Sequence, residues 1–164
     1  MHSGDSVTVE RDSDFLLVKL FLSSVKAPKI SYDVQESYSW ESKEALRKLC
    51  IGKKVRVETE YAKEIATKQG TNLVMNFASV FLAKNDKNLS VSQLEKGLAR
   101  TNLQKSGENM SKYLEDLLTA EKKAVDKKLC LHSAKEAPTV IFADLVSNTK
   151  QAKEFETMVM KRGD

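Results

Sequence analysis

Strand patterns fill the first half of this chain and helical periodicity fills the second. That order constrains the fold most, because strands and helices segregated along a chain point to an α+β domain. Val7 and Val9 alternate with Thr8 and Glu10, as in a half-buried strand. Arg11-Asp12-Ser13-Asp14 reads as a turn. Residues 15–24 are β-rich and mostly apolar, which predicts a central strand buried on much of both faces, and Pro28 ends it. Val55, Val57 and Thr59 then alternate with Arg56, Glu58 and Glu60 as a half-exposed strand. Residues 62–70 read as a polar loop, residues 73–82 as another strand, and residues 84–88 as a turn.

Three helices are expected between and after these strands. In the first, Trp40, Leu46, Leu49 and Cys50 share a face, with Ser39 or Ser42 as N-cap and Gly52 as stop. The second is short and starts at Ser90, where Ser90 and Gln93 have capping-box spacing. The third runs over about residues 109–127. Its stripe holds Met110, Tyr113, Leu114, Leu117, Leu118, Glu121, Ala124 and Val125, and core packing is the expected use of that stripe. A further amphipathic helix is expected over residues 150–160. Mainly β at first and helical later, the pattern fits an OB-fold: a five-stranded barrel with packed helices, here with a C-terminal linker helix. The expected division is 1–133 for this domain and 134–164 for a linker leading toward a following domain.

The chain has 164 residues, 41% of them apolar and 30% charged, which suits one soluble domain. Its longest apolar stretch, residues 15–22, contains Lys19 and is too short to span a bilayer, so no membrane role is expected. The amino end is polar and acidic and does not read as a signal peptide. Two widely spaced cysteines, Cys50 and Cys130, make neither a disulfide framework nor a zinc site. They read as buried or half-buried thiols. His2 and His132 form a catalytic couple with a cysteine only if the fold brings them together.

Net charge is +4, and the distribution is more informative than the total. Lys43, Arg47, Lys48, Lys53, Lys54 and Arg56 fall in one stretch with a single acidic residue, Glu44. One face is therefore expected to be basic.

Several motifs together resemble a known family. They are Lys19-Leu20-Phe21-Leu22-Ser23-Ser24-Val25-Lys26-Ala27-Pro28, Tyr38-Ser39-Trp40-Glu41-Ser42-Lys43-Glu44-Ala45-Leu46-Arg47-Lys48 and Ile51-Gly52-Lys53-Lys54-Val55. Leu94-Glu95-Lys96-Gly97-Leu98-Ala99, Leu117-Leu118-Thr119-Ala120-Glu121 and Leu131-His132-Ser133-Ala134-Lys135-Glu136 continue the match in order. The chain resembles a staphylococcal-nuclease-like domain of the Tudor-SN proteins. Its tail, from Phe142 to Lys153, resembles the linker helix after the third such domain. The resemblance implies an OB-fold, RNA as ligand, and neighbouring nuclease-like and Tudor domains. It further implies RNA-silencing and spliceosomal proteins as partners, in the cytoplasm and also the nucleus.

Cleavage by this family's route needs carboxylates to hold calcium, a carboxylate base to activate water, and two arginines to hold the phosphate. By the resemblance, Asp5 in Gly4-Asp5-Ser6 matches the first metal ligand and is the only family carboxylate that matches. Active members carry Asp-Thr-Pro-Glu where this chain has Lys26-Ala27-Pro28-Lys29. The second ligand and the base have both become lysines. Phe21 stands at the first arginine position and Asn76 at the second. The expectation is no catalytic residues, no metal, no cofactor, and a turn role for Asp5. The expected nucleic-acid contacts are Lys19, Lys26, Lys29, Arg47, Lys48, Lys53, Lys54 and Arg56, with Tyr32 and Tyr38 able to stack on bases. A protein scaffold and a residual calcium-dependent nuclease are the alternatives.

Overall fold

The computed structural model describes residues 3–30, 36–66, 72–103 and 109–134, together with residues 137, 153, 156 and 157. Tyr32 and most of the expected C-terminal linker helix lie outside the described residues. The elements are β1 (Ser6–Glu10), β2 (Leu17–Leu22), β3 (Val25–Lys26), α1 (Ser39–Cys50), β4 (Val55–Ala66) and β5 (Asn72–Leu82). After them come β6 (Lys87–Asn88), α2 (Leu89–Glu95), β7 (Arg100–Thr101), α3 (Leu114–Asp126) and a 3-10 turn over Cys130–His132.

The main sheet runs β1-β2-β5-β4, with β6 added beside β5. β1 and β2 are antiparallel, as are β5 and β4, while β2 and β5 are parallel. A parallel pair needs a long crossover, and α1 lies within it. β3 and β7 form a separate antiparallel ribbon. This is an OB-fold-like α+β domain. Its strands do not close into a barrel among the described residues: β1 and β4 stand at the two ends of the sheet order and are not paired with each other.

Strand alternation sends Val7, Leu20, Leu22, Ala78, Val80 and Leu82 to one face of the sheet. Leu46 of α1, Leu89 and Leu94 of α2, and Leu117, Ala120 and Ala124 of α3 complete the core there. Leu46, Leu89, Leu94 and Leu117 are fully buried, which stabilises the fold by about 1.5–3 kcal/mol for each such side chain.

Several local expectations change. Burial on β2 begins only at Val18 and Leu20, since Phe15 is 75% and Leu17 72% exposed at a turn where Phe15 has φ of 57°. Tyr38, in the left-handed region, caps α1 without a side-chain bond, so neither Ser39 nor Ser42 is the cap. Gly52, at φ of 66°, follows the end of that helix as expected. α2 is capped by Asn88, whose side chain accepts from the Ser90 N–H at 2.8 Å, and Gln93 is used elsewhere. α3 starts at Leu114, and only Leu117, Ala120 and Ala124 are buried along it. Adjacent helical residues point about 100° apart, so Leu118 and Val125 fall outside the stripe. β4 continues through residues 62–66, where a loop was expected. A register shift between Thr59 and Tyr61 re-aims the strand, and Ala62–Ala66 then pair with Asn72–Asn76.

Candidate nucleic-acid interface

The start of β1 is fastened to the β2–β3 turn. Gly4 is buried so tightly that a Cβ would lie 1.9 Å from the Ser42 hydroxyl oxygen. The Gln93 side-chain amide donates to the Gly4 and Ser42 carbonyls, both at 2.9 Å, and so joins α2 to α1 and to this segment. Next to it, the Asp5 carboxylate accepts from the Ala27 N–H at 3.0 Å and from the Ser3 hydroxyl. The Asp5 carbonyl accepts from the Leu22 N–H at 2.8 Å. Asp5 thus ties the start of β1 to the end of β2 and to the segment that carries Lys26 and Lys29.

Those two lysines are exposed. Lys26 is directly opposite Arg100 in the β3–β7 ribbon. Like charges directly opposite each other repel unless an anion lies between or beside them. Lys29 closes a short loop: its N–H donates to the Glu36 carboxylate at 2.7 Å, and its carbonyl accepts from the Glu36 N–H at 3.0 Å. A calcium ion takes six to eight oxygen ligands. Around Asp5 the chain supplies one carboxylate already engaged with a backbone N–H, and lysines at positions 26 and 29. These residues do not fit the ion. Among the described residues no three His, Cys, Asp or Glu side chains form a group that could hold a metal.

The other basic residues of the 43–56 stretch differ in how they are engaged, and Lys48, Lys53 and Lys96 line one cleft. Arg47 forms two hydrogen bonds to Glu44, at 2.8 and 2.7 Å, and holds that carboxyl below its ordinary range. Lys48 is 3.7 Å from the same carboxylate. The Lys53 ammonium donates to the Leu49 carbonyl at 2.8 Å and caps the end of α1. Lys54 is 3.9 Å from Asp12, with both side chains exposed. Arg56 lies over the Phe81 ring at 4.2 Å and is paired with Asp86 at 2.6 Å and with Glu58. Arg47 and Arg56 are therefore committed to carboxylates of this chain. Lys26 and Lys29 face solvent near Asp5, and Lys19 faces solvent on β2.

Lys19 leads to a surface the sequence did not reveal. Its ammonium lies 5.0 Å from the centre of the Phe21 ring. Phe21 is the register partner of Phe77, and Phe77 that of Tyr61. Asn76, expected at the second arginine position, pairs instead with Leu20, whose side chain lies in the core. On the Phe21 face, the residue beside it is aromatic. Such a row is invisible in sequence because three strands supply it and only the register brings them level. Further along this face, the Ser79 and Ser111 hydroxyls donate to Glu60 at 2.8 and 3.1 Å. The Tyr113 hydroxyl donates to Glu58 at 2.8 Å, lowering the Glu58 carboxyl and raising the phenol.

The remaining reactive groups are muted. Both cysteines are free and half-buried, and burial pushes both thiols above their ordinary range, away from nucleophilic activation. Cys130 shares its 3-10 turn with His132. It also lines a cleft of about 530 Å³ with Trp40, Glu44, Lys48, Leu49 and Lys96. Trp40 and Tyr38 are both half-buried, Tyr38 at the start of α1.

Residues 19–134 match the family model described as Staphylococcal nuclease homologue. The chain is 32% identical over 182 residues to Ribonuclease TUDOR 2 of Arabidopsis thaliana, covering 93% of this chain and 18% of that protein. It is 31% identical over 191 residues to Ribonuclease TUDOR 1 of the same plant, covering 93% of this chain and 19% of that protein. The chain thus spans under one fifth of the length of these relatives. With that match and the OB-fold-like sheet and helices, the chain belongs to the staphylococcal nuclease homologue family, as a nuclease-like domain of the Tudor-SN type.

Proposed function

We propose that this domain binds RNA without cutting it. The observation that carries this reading is the chemistry around Asp5. Its carboxylate is used as a backbone staple, and the neighbouring positions present Lys26 and Lys29. That arrangement repels a divalent cation and attracts a phosphate. Lys19, Lys26 and Lys29 are the leading contacts, with Lys48, Lys53 and Lys54 next and Arg47 and Arg56 last, because those two arginines are already paired. Binding through phosphates is weakened by salt in proportion to the number of contacts. Titrating labelled RNA at about 50 mM and about 200 mM salt tests this, with affinity expected to fall by an order of magnitude or more. No binding at low salt, or an affinity indifferent to salt, overturns the reading.

The longer protein is proposed to use this domain, in the third nuclease-like position, alongside further nuclease-like and Tudor domains. Its proposed setting is RNA silencing, decay or transcript regulation in the cytoplasm and nucleus, with silencing or spliceosomal proteins as partners. One observation favours an additional scaffold role. Phe15, Leu16 and Leu17 are 75%, 56% and 72% exposed side by side, and such apolar surface suits a protein contact. Charge reversal at Lys26, Lys29, Lys53 and Lys54 separates the two readings. RNA binding by the longer protein that survives it favours the scaffold.

A further inference from the structure

Phe21 of β2, Phe77 of β5 and Tyr61 of β4 form one row across three adjacent strands. Tyr61 and Phe77 are stacked with ring centres 4.7 Å apart and planes 15° apart. Phe21 and Phe77 are 5.6 Å apart and tilted by 35°. The row lies on the sheet face opposite Leu20, Leu22 and Ala78, so the hydrophobic core does not contain it. All three rings are half-buried rather than enclosed. Two lysines lie beside the row: Lys19, on β2, is 5.0 Å from the Phe21 ring, and Lys63, on β4, is 5.8 Å from Tyr61 and 5.9 Å from Phe77. Phe81, farther along the same face, is instead packed edge-on to Tyr113 and lies under Arg56.

Rings with ammonium groups beside them on a sheet face match the two surfaces of an unpaired nucleotide. The base presents a flat apolar face and the phosphate a negative charge. A duplex hides its base faces and offers only its backbone and groove edges. We propose that the Phe21–Phe77–Tyr61 row is a stacking platform for unpaired nucleotides, with Lys19 and Lys63 taking the flanking phosphates. The proposal rests on the nucleic-acid reading above, and adds to it the strand class and the face. It also gives Phe21 a role: an aromatic ring in place of an arginine gives up a grip on phosphate and gains one on a base.

The test uses the full chain and a labelled oligouridine, with a labelled duplex RNA of the same length as control. A Phe21→Leu, Phe77→Leu double variant keeps apolar volume on the sheet and removes the aromatic faces. Its single-strand affinity is expected to fall at least about tenfold, with the duplex affinity and salt slope unchanged. A Lys19→Gln, Lys63→Gln variant is expected to lower the single-strand salt slope by about 1.4. Crosslinking of 4-thiouridine in the oligonucleotide to Phe21, Tyr61 or Phe77, read by mass spectrometry, is expected in the unaltered chain. Wild-type single-strand affinity in the leucine variant, or equal losses for single strand and duplex, overturns the platform while RNA binding stands. Failure of the unaltered chain to bind either RNA at low salt overturns both.

Discussion

Replacing Asp5 separates a staple from a metal ligand. In Asp5→Ala the Ala27 N–H, in a residue only 5% exposed, loses its acceptor, and the Ser3 hydroxyl loses its own. An unpaired buried donor costs about 1–3 kcal/mol, and about 2 kcal/mol is the expected loss here. For a chain of this size that corresponds to a fall in Tm of roughly 4–8 °C. Asp5→Asn retains a side-chain oxygen for the Ala27 N–H and is expected to cost less than about 1 kcal/mol. Thermal melts of the three proteins, with and without calcium, provide the assay. A bound ion at about 100 times its Kd would add about 2.7 kcal/mol of stability, whereas no calcium shift is expected in any of the three. A calcium-induced rise in Tm that Asp5→Asn abolishes would refute the reasoning. So would an Asp5→Ala protein as stable as the parent.

Other perturbations test the fold that holds this face in place. Gln93→Ala leaves the Gly4 carbonyl without its 2.9 Å donor and opens a cavity between α1 and α2; a loss of about 2–4 kcal/mol is expected by urea denaturation. Gly97→Ala is expected to destabilise more than Gly52→Ala. Both glycines have positive φ, but only at Gly97 would the added Cβ meet backbone, 2.4 Å from the Leu129 carbonyl oxygen. The Glu58 carboxyl is held low first by the Tyr113 hydroxyl and then by Arg56. A depressed folded-state value contributes stability above the unfolded carboxyl value, near 4.3, and that contribution is lost as pH falls through the folded value. Tyr113→Phe is therefore expected to flatten the loss of stability below about pH 4, read by melts across that range.

The fold was legible where a pattern is local. Val7 and Val9, the alternation of residues 55–60, and Gly52 after α1 all act through neighbours in sequence. It was less legible where a partner decides the outcome. Phe15 and Leu17 read as buried because they are apolar, but Phe15 stands in the turn before β2, and Leu17, paired with Glu10, alternates to the sheet face opposite Leu20 and Leu22. Residues 62–66 read as the start of a polar loop ending at Gly70, yet they extend β4 through pairing with residues 72–76, a partner that local sequence does not show. Gln93 read as half of a capping box, but it bridges to Gly4, 89 residues away. At the candidate site, the resemblance singled out Asp5, Lys26 and Lys29, and the hydrogen bond from the Ala27 N–H to Asp5 became visible only in the structure. The aromatic row could not be read from the sequence, because Phe21, Tyr61 and Phe77 carry no shared local signal and only strand register aligns them.

Binding without cleavage is tested most directly by following labelled single-stranded RNA that is saturated with this chain at low salt and supplied with calcium. The expected result is intact RNA on a denaturing gel from samples in which anisotropy shows the RNA bound. Calcium-dependent fragments that disappear with Asp5→Ala would contradict it, because they would require Asp5 to hold the metal rather than the Ala27 backbone.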